Sequence, residues 1–145
     1  MEIYEILKSL NSVKSRVGQV EEFQKHKDNL ALRYILQGAY DDRISTYLPT
    51  GAPPPFAPFD LNQEKPPASL NSEEKTIYNF FQHTFGSKQP IIKQERAFID
   101  LIQSIHPEDA DIMIRMLNKN IHEKYKRLSK AAVKEFLAPW VPDFV

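Results

Sequence analysis

Three observations predict an all-α fold, a compact bundle of six or seven helices. Apolar residues recur every three or four positions along most of the chain. No segment alternates apolar and polar residues between turn signals, as a half-buried strand would. The Gly, Pro, Ser, Asn and Asp residues that punctuate the pattern stand where helix caps and stops belong. No internal repeat is visible. With 145 residues, 41% of them apolar and 26% charged, the chain has the size and composition of one domain, residues 1–145, with a core of its own. The lack of cysteine excludes a disulfide framework, zinc–thiolate sites and thiol catalysis. No run approaches the roughly 18 apolar residues of a membrane span, and MEIYEILKSL is too short and acidic for a signal peptide. A soluble, cytoplasmic protein without a membrane partner is expected.

Ile3, Ile6, Leu7 and Leu10 stand at helical spacing in a first helix over residues 2–10. Asn11 and Ser12 break the pattern and are placed to cap the next helix, whose inward residues would be Val13, Val17, Val20 and Phe23, with Lys14, Arg16 and Lys25 on its wet side. Asp28 suits the cap of a third helix, which buries Leu32, Ile35, Leu36 and Ala39 and ends near Asp41 and Asp42. Between Pro49 and Pro67 the composition changes, with seven of the eleven prolines in this stretch. Proline lacks an amide donor and fixes φ, so neither helix nor interior strand can form there. Pro53, Pro54 and Pro55 read as polyproline II. Phe56 and Phe59 argue for a strap between the third and fourth helices, ordered by burying both rings, over a proline-rich ligand for a recognition module.

Helical pattern resumes at Asn71, in capping-box relation with Glu74, and buries Ile77, Phe80, Phe81 and Phe85 before Gly86 ends it. A fifth helix over 92–105 turns Phe98, Leu101, Ile102 and Ile105 inward. Pro107 fits a first helical position, followed by Glu108 and Asp109 near the positive end of the dipole. The helix begun there is expected to run on to Lys126. Ser129 caps a last helix with Val133, Phe136 and Leu137 buried, stopped by Pro139 and Pro142.

Catalytic chemistry is not legible. The four glycines (Gly18, Gly38, Gly51, Gly86) are too dispersed to cradle a phosphate. The four histidines (His26, His83, His106, His122) lie on separate segments without metal-ligand spacing. No nucleophile turn accompanies a serine. No cofactor, metal or enzymatic activity is expected.

Charge is the asymmetric feature. The chain has no net charge, yet from Lys119 to Lys134 six basic residues (Lys119, Lys124, Lys126, Arg127, Lys130, Lys134) face one acid, Glu123. On one continuous helix, Arg115, Lys119, His122 and Lys126 would fall within roughly 60° of arc, because spacings of 4, 7 and 11 nearly close on whole turns. Ile112, Met113, Met116, Leu117 and Ile121 would face the core. Such a stripe fits a helix docked on a polyanion, and equally an ordinary solvated face.

Two stretches carry a resemblance. The opening segment holds Gln24-Lys25-His26-Lys27-Asp28-Asn29, Leu32-Arg33, Tyr40 and Tyr47-Leu48-Pro49, and the closing segment runs IMIRMLNKNIHEKYKRLSKAAVKEFLAPWVP. Together they resemble the N-terminal helical domain of tailed-phage ATP-dependent DNA ligases over nearly the whole chain, with a variable middle. That domain grips the DNA backbone around a nick while later domains do the chemistry. The sequence stops where the nucleotidyltransferase part would begin and has no Lys-x-Asp-Gly, so ligase activity is not implied. Where ligases place small residues at the phosphate-approaching turn, Lys124-Tyr125-Lys126-Arg127 stands here, exchanging close backbone approach for long cationic side chains.

The resemblance implies a stand-alone, non-catalytic DNA-binding domain serving replication, repair or recombination, in host cytoplasm if phage-encoded. Arg115, Lys119, His122, Lys124, Lys126, Arg127, Lys130 and Lys134 would contact duplex or nicked DNA with little sequence specificity, and Ser129 would donate at the last helix's N-terminus. Tyr125 would stack on a base or, more in keeping with its surroundings, join the core. The rival expectation is a protein-interaction adaptor that binds a partner of the replication or transcription machinery through Phe56, Phe59, Trp140 and Phe144. Zero net charge speaks for it, because dedicated DNA binders are usually basic.

Overall fold

A computed structural model describes residues 1–44, 48, 56–62, 64–81 and 91–141. Among them the fold is all-α and no β-strand occurs. The helices are α1 (Ile3–Ser12), α2 (Arg16–Gln24), α3 (Leu30–Tyr40), α4 (Glu74–Tyr78), α5 (Ile91–Ser104), α6 (Pro107–Leu117), α7 (Ile121–Lys124) and α8 (Lys130–Leu137), with a 3-10 turn at Leu70–Ser72. No described helix is long and apolar enough to cross a membrane.

Helix α3 is the centre. Eight of its residues, Ala31, Leu32, Ile35, Leu36, Gln37, Gly38, Ala39 and Tyr40, are buried, as in a helix covered on nearly all sides. It packs on α4, α6, α8 and the 3-10 turn, while α1 lies against α2 and α6, and α5 covers α6. The glycine at position 38 makes room chiefly for the Phe81 ring and more loosely for Met116 of α6. A Cβ there would lie 2.7 Å from Cζ of Phe81 and 3.2 Å from Cγ of Met116.

The expected inward faces of α1, α3, α5 and α8 are buried as predicted, and Tyr125 is core. The caps differ more. Asn11 and Ser12 do not cap α2; α1 runs through Ser12, and Ser15 accepts from the Gly18 amide at 3.0 Å. Asn29, not Asp28, caps α3 by accepting from the Leu32 amide at 3.0 Å. The Asn71–Glu74 capping box is absent, since Asn71 accepts from Asn29 and donates to the Met1 carbonyl. Helix α4 is a single short segment of five residues. Phe85 and Gly86 lie outside the described residues. Of the strap expected over 49–67, residues 49–55 and 63 also lie outside them. Phe56 and Phe59 are half-buried, Phe56 packs against the core, and the Ala57 amide donates to Gln103 Oε1 at 2.9 Å.

The largest correction concerns the helix expected to reach Lys126. Helix α6 stops at Leu117 in a Schellman motif: the Lys119 amide donates to the Met116 carbonyl at 3.2 Å and the Asn120 amide to the Arg115 carbonyl at 3.0 Å. Lys119 takes the left-handed conformation there, with φ of 54°, in a place that favours glycine. Its side chain supplies the compensation. Lys119 Nζ donates to the carbonyls of Gly38 at 2.8 Å and Asp41 at 2.9 Å, and so caps the C-terminus of α3 with a cation. Burial holds its pKa below the ordinary lysine value, opposed by Asp42 and Asp41.

Candidate nucleic-acid interface

The break after α6 disperses the stripe. Arg115 donates through Nε to Asp111 Oδ2 at 2.9 Å, and Lys124 reaches the same oxygen at 3.1 Å. Asp111 thereby ties α7 back onto α6, and both cations are half-buried. Lys119 is spent on α3. His122 stands exposed on α7, away from this network. Four of the anticipated cations remain together around the turn into α8: Lys126, Arg127 and Lys130 are exposed, and Lys134 is half-buried one turn further on.

Tertiary packing adds partners to them. Helix α2 turns inward through Gln19 and Phe23, with Val20 half-buried against the core, and leaves Val17 69% exposed. The reason is a polar clasp. Gln19 Nε2 donates to the carbonyls of Val13 at 3.0 Å and Arg127 at 2.6 Å, and Gln19 Oε1 accepts from the Ser129 amide at 2.9 Å. Asn11 Oδ1 accepts from the Arg127 amide at 2.8 Å beside it. These bonds join the α1–α2 connection to the turn before α8. No local signal in the sequence marks the clasp, because the partners of Gln19 in the turn before α8 lie 108 and 110 positions away.

Helices α2 and α8 pack against each other. Gln19, in the first turn of α2, meets the N-cap of α8, and Phe23 near the end of α2 stacks on Phe136 near the end of α8, with centroids 4.7 Å apart. Each helix is capped by a serine, Ser15 and Ser129, the latter accepting from the Ala132 amide at 3.4 Å, and the Gln19 and Asn11 bonds bring the α1–α2 connection to the N-terminal end of α8. The Ser129 amide itself is taken by Gln19, so it does not face outward as a free donor. Lys14 and Arg16, which the sequence placed only on a wet face, join this end. Lys14, Lys126, Arg127 and Lys130 are exposed and make no ion pair among the described residues, whereas Arg16 pairs with Glu135 at 3.0 Å. Four unpaired cations gathered about the N-terminal end of α8 make a local positive field in a chain of zero net charge.

The other anticipated contacts divide. Trp140 is 40% exposed at the opposite end of α8, Phe56 and Phe59 are half-buried, and Phe144 lies outside the described residues. Among the described residues no group of three or more His, Asp or Glu side chains is gathered as metal ligands. Comparison with curated proteins and with solved structures finds no match. One family model matches residues 6–123, which takes in most of α1, α2 to α6 and most of α7 and stops short of α8. The chain belongs to that family, a family of unknown function designated DUF6433.

Proposed function

We propose that the protein is a non-catalytic DNA-binding domain of the ligase type, holding the phosphates of duplex or nicked DNA at the end where α8 begins. The observation that carries this reading is the gathering of Lys14, Lys126, Arg127 and Lys130, exposed and without ion pairs among the described residues, where Gln19 joins the α1–α2 connection to the start of α8. Lysines and arginines there would reach phosphate as long side chains, in keeping with the Lys-Tyr-Lys-Arg turn. Arg115, Lys119 and Lys124 drop out as contacts, because their charges already serve Asp111 or the end of α3. Base specificity is not part of the reading, since neither helix presents a base-reading set of side chains.

The test is a salt titration of binding to nicked and intact duplex. Four neutralised phosphates give a log–log slope of roughly −4, at about −0.9 per contact. Lys126→Glu combined with Arg127→Glu should flatten that slope by about half and weaken all sequences alike. The fold should persist, as surface changes cost under about 0.5 kcal/mol. Unaltered affinity in this double variant would reduce the cluster to an ordinary solvated surface.

A further inference from the structure

The far end of α8 carries a surface of different character. Trp140, the only tryptophan of the chain, follows α8 and is 40% exposed while its ring meets Phe136 edge-on at 5.5 Å. Arg33 of α3 lies between two rings, its Cζ 4.7 Å from the Trp140 centroid and 5.0 Å from that of Tyr34. Tyr34 in turn meets Tyr78 of α4 at 5.4 Å. A groove of about 410 Å³ continues from there, lined by Leu30, Tyr34, Glu74, Lys75, Tyr78 and Asn79, with Leu30 itself 42% exposed.

Arg33 makes no ion pair among the described residues; its one hydrogen bond is a long one, from Nη2 to Tyr34 Oη at 3.4 Å. A guanidinium held by ring faces has most of its five donors unspent and has already lost much of its rotamer freedom. Such a group is prepared for a carboxylate, which it can take with two parallel hydrogen bonds. The neighbours decide the kind of molecule that brings it. A polyanion surface gathers several cations, whereas here the groove lining holds Lys75 and Glu74, which offset each other, and Arg33 stands beside it on Tyr34. An exposed Trp beside half-buried Tyr and Arg side chains, with few lysines, is the composition of protein-interface centres.

We propose that the surface formed by Arg33, Trp140, Tyr34, Tyr78 and Leu30 docks a partner protein through a segment carrying a carboxylate next to an aromatic or branched apolar side chain. The carboxylate engages Arg33 and the apolar side chain fills the Leu30–Tyr34–Tyr78 groove. This surface is distinct from the cationic end: α8 is eight residues long, so about 12 Å of helix separates the two. The proposal does not rest on DNA binding, and either can fail alone.

Trp140 provides the readout, since its emission reports only this surface. The full chain is panned against a displayed library of random peptides, and enriched sequences are made synthetically. Peptides with a carboxylate adjacent to an aromatic or branched apolar residue should enrich and shift Trp140 emission. Arg33→Gln should weaken them about tenfold, as expected for loss of a charge-assisted contact worth about 1.4 kcal/mol. Lys126→Glu should leave them unchanged, and circular dichroism of both variants should match the parent. Failure to enrich, a consensus lacking the carboxylate, or equal binding by Arg33→Gln would overturn the proposal. So would an oligothymidylate that shifts Trp140 emission and loses that effect in Arg33→Gln, which would assign the surface to unpaired bases.

Discussion

Asp109 shows how one side chain can govern stability. It stands in the first turn of α6 at 0% exposure, and its Oδ1 accepts from the Tyr4 amide at 2.8 Å, joining α1 to α6. Burial pushes its carboxyl up to about 7, and the nearby Glu2, Glu108 and Glu5 add to the shift, against the Tyr4 amide, which lowers it. The folded state therefore holds a proton that the unfolded chain releases near the ordinary carboxyl value of about 4. The stability tied to that proton is full below this value and is lost as pH rises through 7. Asp109→Asn keeps an acceptor for Tyr4 without the charge. Unfolding in urea at pH 5 and pH 8 should show the parent losing roughly 2–3 kcal/mol from this group over the interval, and the variant losing much less. Equal pH dependence in the two proteins would show that Asp109 titrates normally.

At the scale of elements, the α2–α8 pair depends on polar groups as much as on the Phe23–Phe136 stack. Gln19 satisfies two carbonyls and one amide belonging to segments that are more than 100 positions apart in sequence or at the end of α1. Gln19→Met would conserve volume and leave those three part-buried groups without partners. At about 1–3 kcal/mol for each stranded group, partly relieved by water reaching the turn, a loss of about 2–4 kcal/mol is expected in chemical denaturation. Binding to duplex DNA should fall as well, because the clasp is what sets Lys14 beside Lys126 and Arg127. Full stability in this variant would mean that the helices are aligned by their apolar contacts alone. Helix α8 itself then appears as a two-ended element, cationic where it begins and aromatic where it ends.

For the whole molecule, the proposed reading is one of attachment without chemistry. Incubation with labelled ATP and magnesium is expected to leave no acid-labile adenylate on the protein, because no Lys-x-Asp-Gly and no glycine-clustered phosphate loop occur in the chain. A covalent adduct on any lysine would replace this reading with that of a nucleotidyltransferase. DNA at one end of α8 and a protein segment at the other would make the chain a connector, and the salt titration and the Trp140 measurements address the two ends separately.

The helical class, the core faces of α1, α3, α5 and α8, Pro107 at the start of α6 and Ser129 at the start of α8 were all legible in the sequence. Each rests on periodicity or capping within one or two turns, where neighbouring residues alone set the outcome. The cationic site was legible only in part, through Lys126, Arg127, Lys130 and Lys134. Which lysines stay free depends on partners far along the chain: Lys119 is withdrawn by carbonyls 81 and 78 positions away, and Arg127 is brought to Val13 by a glutamine 108 positions before it. Nor did the pattern announce the end of α6, since periodicity continues through Ile121 and a left-handed lysine has no local signature beyond the asparagines beside it. Local spacing therefore determined which residues are helical and which faces are apolar. Only the tertiary structure decided which charges are spent inside the molecule and which are left to meet a partner, because hydrogen bonds and ion pairs form between groups that folding, not sequence order, makes neighbours.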